Sequence, residues 1–213
     1  MAASVSTGAI LFTDMVDSTA LRSRLGEARA DVLRRHHDEL LTAAIDAHTG
    51  EVARWTGDGV KAVFPTASDA IGAAVTIQRA VVEYGQQADS VAPFQVRIGL
   101  SIGEVSTDET GDRRGVAVVE AARLEALARP GEILATDMVR LLGHRRAHVA
   151  FEDAGERTLK GIDLPVTVVR VVDTEAGAAV PLPRFLATDT RLPLVGRDHL
   201  LQRRCRAACV CGV

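Results

Sequence analysis

Apolar segments of two periods alternate along the chain and predict an α+β fold. The order is βαββαβ, a ferredoxin-like sandwich with extra C-terminal strands and helices on one face of an antiparallel sheet. Two stretches anchor this prediction. Phe94 to Val105 alternates cleanly, with Phe94, Val96, Ile98, Leu100 and Ile102 on one face, as a half-buried strand requires. Glu51–Trp55 and Val60–Phe64 flank a Gly57-Asp58-Gly59 tip. Asp-Gly between two extended runs predicts a hairpin, because both central residues of a tight turn take positive φ.

The remaining elements follow in order. Strand 8–13 is a short apolar run, Gly8 to Thr13, that ends at Asp14. Asp17 or Ser18 can cap a helix carrying Leu21 and Leu25. Gly26 interrupts it, and a long helix is predicted from about Ala28 to His48 with the stripe Leu33, His37, Leu41, Ala44 and Ile45. Gly50 stops it. His37 lies on the apolar stripe, which favours a packed, hydrogen-bonded core histidine over a catalytic base. After the hairpin and Pro65, Ser68 caps a helix to about Tyr84 with Ile71, Ala74, Ile77 and Val81 inward. A polar turn from Ser106 to Arg114 leads to a helix from about Gly115 to Ala128, halted by Arg129-Pro130-Gly131. Glu132–Ala135 reads as a strand, Thr136–Leu142 as a short helix, and 149–172 as strands around the Lys160-Gly161 turn.

Composition excludes several classes. Among 213 residues, 25 Lys and Arg stand against 28 Asp and Glu, a net charge of −3, which gives no electrostatic case for nucleic acid or an anionic membrane. No run approaches the roughly 18 apolar residues of a membrane span, and the N-terminus lacks a signal-peptide pattern. Aromatics are only 3%, so the core must come from Ala, Val, Leu and Ile. Cys205, Cys209 and Cys211 all lie in the last nine residues, so the body has no disulfide, as expected of a cytoplasmic protein. Their spacing could hold a soft metal, but no matching His or Cys set stands nearby. Two domains are expected. Residues 1–173 form the main one, and 174–213 a linker in Ala, Gly and Pro followed by a tail that begins Leu192-Pro193-Leu194-Val195-Gly196-Arg197-Asp198.

Asp58 alone reads as a turn residue. Paired with Asp14 it reads differently. If strand 8–13 lies beside the hairpin, the two carboxylates converge at one sheet end and repel unless a cation sits between them. Phe12-Thr13-Asp14-Met15-Val16-Asp17-Ser18-Thr19 and Thr56-Gly57-Asp58-Gly59, in this order and spacing, resemble the two metal-binding segments of the class III adenylate/guanylate cyclase catalytic domain. The resemblance runs from about Gly8 to Val172. The tail beyond residue 192 looks like the opening of the ATPase module that follows such domains in bacterial transcription regulators, although no G-x-x-x-x-G-K-[ST] follows.

The resemblance implies conversion of ATP to cyclic AMP and pyrophosphate, with two Mg²⁺ or Mn²⁺ per site and sites shared across a homodimer. Cyclisation needs the ribose 3′ oxygen deprotonated and in line with the α-phosphate, and the pyrophosphate charge neutralised. Asp14 and Asp58 fall at the metal ligands. The backbone N–H groups of Met15, Val16, Asp17, Ser18 and Thr19 open a helix that can hold phosphates. Arg54 stands where the family has a base-contacting lysine, which keeps the charge but changes donor geometry. Asp112 occupies the other base-selecting position, as in members that use ATP, with GTP the competing substrate. Arg123 matches the transition-state arginine, and Lys160 a second triphosphate-binding basic residue. Val119 replaces the family asparagine one helical turn before Arg123. Losing one such preorganised contact costs roughly 10²–10³ in rate, so weak activity is expected. Two alternatives stay open: a degenerate cyclase fold used for nucleotide sensing or dimerisation in a regulator, and a heterodimer with another cyclase that supplies the asparagine.

Overall fold

A computed structural model of the chain describes residues 5–107, 113–143 and 149–175. Asp112 and the linker and tail from 176 onward, with Cys205, Cys209 and Cys211, lie outside the described residues.

The elements run β1 (Val5–Met15), α1 (Ser18–Leu25), α2 (Glu27–Ala47), β2 (Glu51–Trp55), β3 (Val60–Phe64), α3 (Ala67–Gln86), β4 (Val96–Thr107), β5 (Arg113–Arg114), α4 (Val116–Leu127), β6 (Ile133–Thr136), α5 (Asp137–Gly143), β7 (Val149–Arg157) and β8 (Val166–Asp173). The sheet order is β2-β3-β1-β4-β6-β8-β7, with β5 paired to β4. Its first four strands have the ferredoxin-like arrangement, and the added strands extend it beyond β4. All pairs are antiparallel except β4 with β6, which is parallel. The helical crossover through α4 makes that direction accessible.

Strand alternation sends β1 side chains to two different cores. Ala9 and Leu11 join Leu41 and Ile45 of α2, Ile71 and Ile77 of α3 and Val139 of α5 on one face. Ile10 points the other way, with Val105, Ala117 and Ala121. A further cluster on that second side joins Leu124 and Ala128 to Leu134 and Val168. The expectation of helices on one face therefore holds for α2, α3 and α5, while α4 covers the opposite face. The reason lies in β4. Opposite its apolar row it carries Gly99 and Ser101, small enough for a helix backbone to settle on the sheet. A Cβ on Gly99 would collide with the Ala121 carbonyl oxygen and stand 2.9 Å from the Glu125 Cα.

Several local expectations are refined. Helix α3 is capped by Thr66, whose hydroxyl accepts from the Asp69 N–H at 3.1 Å, and not by Ser68. Neither Asp17 nor Ser18 caps α1 through its side chain; Asp17 instead takes a left-handed conformation at φ 53°. The hairpin is real, but its tip is a four-residue loop closed by Thr56 N–H donating to the Gly59 carbonyl at 2.9 Å. Only Gly57 there has positive φ, at 102°. His37 is fully buried, bonded to Asp38 at 2.8 Å and edge-on to Phe94, a core histidine as expected. Among the described residues no helix is long and apolar enough to cross a membrane.

Candidate active site

The site forms where β1 ends against the hairpin tip. Phe12 pairs with Lys61 on one side, while Asp14 pairs with Arg97 on the other. Two hydrogen bonds lock the tip to the strand: Met15 N–H donates to the Asp58 carbonyl at 3.1 Å, and Val60 N–H to the buried Thr13 hydroxyl at 3.1 Å. Gly59 makes the approach possible. A Cβ there would overlap the Thr13 carbonyl oxygen and stand 2.7 Å from its carbon and 3.1 Å from Asp14 Cα. Gly59 is required by proximity, not by positive φ.

The result is two half-buried carboxylates side by side. Burial works against the ionised form of Asp58, yet the Ser18 hydroxyl and the residue's own backbone N–H hold it below the ordinary carboxylate range. Asp14 is neutralised by the Arg97 guanidinium, which also lies 3.5 Å from Glu125 Oε1. The Glu125 side chain is 15% exposed. Burial first, then the charge of Asp14, pushes its carboxyl up to about 7, against the pull of Arg97. A cavity of about 350 Å³ opens beside Asp58, lined by Met15, Ser18, Leu21, Arg34 and Gly57.

The chain matches the adenylate and guanylate cyclase catalytic domain over residues 2–171. It belongs to that family. It is 31% identical over 160 residues to the putative adenylate cyclase 3 of Rhizobium meliloti, covering 75% of this chain and 27% of the relative. With an uncharacterized protein of Mycobacterium tuberculosis it shares 34% identity over 187 residues, 88% of this chain and 47% of the other. The chain thus spans between about a quarter and a half of these relatives. A solved adenylate/guanylate cyclase/hydrolase from Silicibacter pomeroyi superposes with a TM-score of 0.68 at 34% identity, over 79% of this chain and 98% of that one.

Cyclase domains of this family generally work with divalent metals, and the donor set here suits a hard cation. Mg²⁺ is commonly held by one or two carboxylates, with waters and substrate phosphates completing the shell. The structure offers two carboxylates beside a helix start, with the Arg97 guanidinium already standing in as the neutralising cation. Among the described residues no group of three or more His, Cys, Asp or Glu forms a self-sufficient metal cage.

The other sequence-predicted residues divide. Of the five backbone N–H groups expected to face phosphates, two are already spent: Met15 on the Asp58 carbonyl and Val16 on the Gln95 carbonyl at 2.9 Å. Asp17, Ser18 and Thr19 remain, at the α1 terminus where a helix leaves its first donors unsatisfied. The Ser18 hydroxyl is committed to Asp58. Arg54 is exposed on edge strand β2, opposite Lys61. Arg123 sits on the outward side of α4, and its Nε donates to the Lys160 carbonyl at 3.2 Å. The structure therefore brings Arg123 and Lys160 together, but among the described residues neither touches Asp14 or Asp58 of its own chain. Val119 is 37% exposed on that same face, between Val116 and Leu127, which are also exposed.

Sequence reasoning missed Arg97 and Glu125. The available signal was a charged residue on the face of Phe94–Val105 opposite its apolar row, in register with small Gly99 and Ser101. Lys61 was missed as well. It is buried, and its Nζ donates to the Arg113 carbonyl at 3.3 Å.

Proposed function

We propose that this domain is a class III nucleotidyl cyclase, converting ATP to cyclic AMP and pyrophosphate at sites shared across a homodimer, with low activity. The observation that carries the reading is the separation of the site into two halves. Asp14 and Asp58 converge at the sheet end, with Asp58 kept ionised, while Arg123 and Lys160 face outward from the same chain. Neither half suffices alone, and an exposed apolar strip of Val116, Val119 and Leu127 surrounds Arg123. Burying that strip against a second copy would carry Arg123 to the partner's aspartates.

In this reading Asp14 and Asp58 hold the divalent cations, Mg²⁺ or Mn²⁺. When bound, these supply charge neutralisation for the triphosphate and lower the pKa of the ribose 3′ hydroxyl. The chain's own residues do the rest. The N–H groups of Asp17, Ser18 and Thr19 receive phosphate oxygens. Ser18 holds Asp58 in its ionised, ligating form. Arg123 of the partner meets the charge that develops as the 3′ oxygen bonds to the α-phosphorus and pyrophosphate departs. Arg54 and Asp112 contact the base, and Lys160 the triphosphate. Val119 offers no hydrogen bond where a polar side chain would orient the ribose or phosphate, which supports a slow enzyme.

The same Val119 favours the second reading, a degenerate cyclase fold that senses nucleotide or dimerises. Cyclic nucleotide formation with ATP and separately GTP in Mn²⁺ discriminates between them. Product from the parent that vanishes in Asp58→Ala supports the enzyme. Equal silence from both proteins, with both nucleotides, supports the module.

A further inference from the structure

Arg97 and Glu125 lie outside every motif that identified the domain, yet they converge on its acidic centre. Arg97 is the cross-strand partner of Asp14, so alternation puts both side chains on the α4 face of the sheet. Glu125 reaches the same place from above, because Gly99 lets the α4 backbone settle onto β4. One guanidinium nitrogen, Nη2, contacts Asp14 and lies 3.5 Å from Glu125 Oε1. Two atoms are left over. Arg97 Nε and Glu125 Oε1 are both buried and neither has a hydrogen-bond partner. A buried carboxylate oxygen and a buried guanidinium N–H are each costly when unpaired, by roughly 1–3 kcal/mol. The Nη2 of the same guanidinium is already 3.5 Å from Glu125 Oε1, so a rotation of the guanidinium can bring its N–H groups onto that oxygen.

We propose that Arg97 is a two-position positioning residue of the cation site, resting on Asp14 while the site is empty and turning to Glu125 when a divalent cation takes its place. The proposal rests on the reading above that Asp14 and Asp58 hold a cation. Charge arithmetic agrees with it. Asp14, Asp58 and Glu125 sum to −3, Arg97 contributes +1, and one divalent ion brings the cluster to neutrality with the arginine retained. The nearby Arg34 is already paired with Asp38 at 3.3 Å. Without Glu125, a cation entering at Asp14 would have to displace a half-buried guanidinium into a place with no anion to receive it. Glu125 therefore sets cation affinity without being required as a ligand.

The test is Mn²⁺ binding by the purified chain without nucleotide at pH 8, read from the free-Mn²⁺ paramagnetic resonance signal. Glu125→Gln keeps the shape and removes the receiving charge, and it should weaken Mn²⁺ about tenfold. Arg97→Met removes the competitor and should tighten Mn²⁺. In the Arg97→Met background, Glu125→Gln should cost less than about threefold, because no guanidinium is left to receive. A merely structural pair would give losses of the same sign for both single variants. Glu125→Gln binding within twofold of the parent overturns the proposal, as does a tenfold loss that persists without Arg97. A crystal structure of the unaltered protein with Mn²⁺ tests it without any variant: Arg97 must be hydrogen-bonded to Glu125, and an arginine still on Asp14 refutes it. Asp58→Ala keeps the two ideas apart. If parent Mn²⁺ binding is indifferent to Asp58, the cation-site reading fails; if it depends on Asp58 but not on Glu125, only the two-position arginine fails.

Discussion

Gly59→Ala is the sharpest perturbation the structure offers, because a single methyl reports on the contact that brings the two aspartates together. A Cβ at this position would stand 2.7 Å from the Thr13 carbonyl carbon and 3.1 Å from Asp14 Cα, with the Thr13 oxygen nearer still. Ordinary contact begins at 3.4 Å. Moving the carbon alone from 2.7 to 3.4 Å takes about 0.7 Å, and the oxygen asks for more, so the tip must back away by on the order of 1 Å. The opposing atoms are backbone and cannot rotate aside. Retreat also stretches the bonds from Met15 N–H to the Asp58 carbonyl and from Val60 N–H to Thr13. Overpacking of this kind costs about 3 kcal/mol, a fall of roughly 6–12 °C in Tm for a domain of this size. A displacement of about 1 Å at a catalytic constellation costs about 10²-fold in rate. Gly57→Ala is the matched comparison. It too loses stability, by about 1–2 kcal/mol, because its φ is 102°. Yet nothing lies within 4 Å of its would-be Cβ, so the aspartates stay in place. Thermal melts, Mn²⁺ affinity and cyclic nucleotide formation, measured on both variants, separate stability from site geometry. Parent-like Mn²⁺ affinity in Gly59→Ala would refute the reasoning.

Three further outcomes are expected. Glu125 titrates near 7 in the folded chain against 4.5 for an ordinary glutamate, so the folded state binds the proton more tightly. Stability from this group is therefore full below about pH 4.5 and lost as pH rises towards 7, by at most about 3 kcal/mol. Comparing metal-free Tm from pH 4.5 to 8 with that of Glu125→Gln should show this descent in the parent alone, and parallel curves would sink it. Val119→Asn should raise the rate of cyclic nucleotide formation at least tenfold by restoring a preorganised contact, and an unchanged rate would remove the missing asparagine as the cause of low activity. Mixing equal amounts of Asp58→Ala and Arg123→Ala chains should recover about a quarter of the parent rate. Half of the dimers are then mixed, and each mixed dimer has one intact site. A mixture as inactive as its parts contradicts shared sites.

What the sequence made legible was local chemistry. The hairpin at 51–64, the alternation of Phe94–Val105 and the stop after Ala128 each rest on side chains within one segment, and each stands in the structure. The convergence of Asp14 and Asp58 was legible too, since it needs only that two strand ends lie at one edge of a sheet. The hairpin tip was read correctly for the wrong reason. Gly-Asp-Gly suggested residues chosen for positive φ, whereas Gly59 is chosen for the absence of a Cβ against Thr13, a constraint imposed by another strand.

The illegible part of the site has a single physical origin. Arg97 meets Asp14 across 83 residues of sequence, and only the β1–β4 register decides that they face each other. Glu125 meets Arg97 only because α4 lies on the second face of the sheet, which the small residues Gly99 and Ser101 permit but do not announce. That placement gives α4 two opposed duties. Residues 123 and 125 are about 200° apart around a helix, so Arg123 points away from the sheet while Glu125 points down onto it, above Asp14. A shift of α4 of about 1 Å that improves the Glu125 contact with Arg97 must also move Arg123, because a helix this short behaves as one rigid piece. In the dimer proposed here, the cation site of one subunit and the transition-state arginine offered to the other are then set by the same helix. A substitution that lifts α4, such as Gly99→Ala, should impair both halves together: Mn²⁺ affinity within its own chain, and its ability to rescue an Arg123→Ala partner. Loss of one without the other would show that the two faces of α4 act independently.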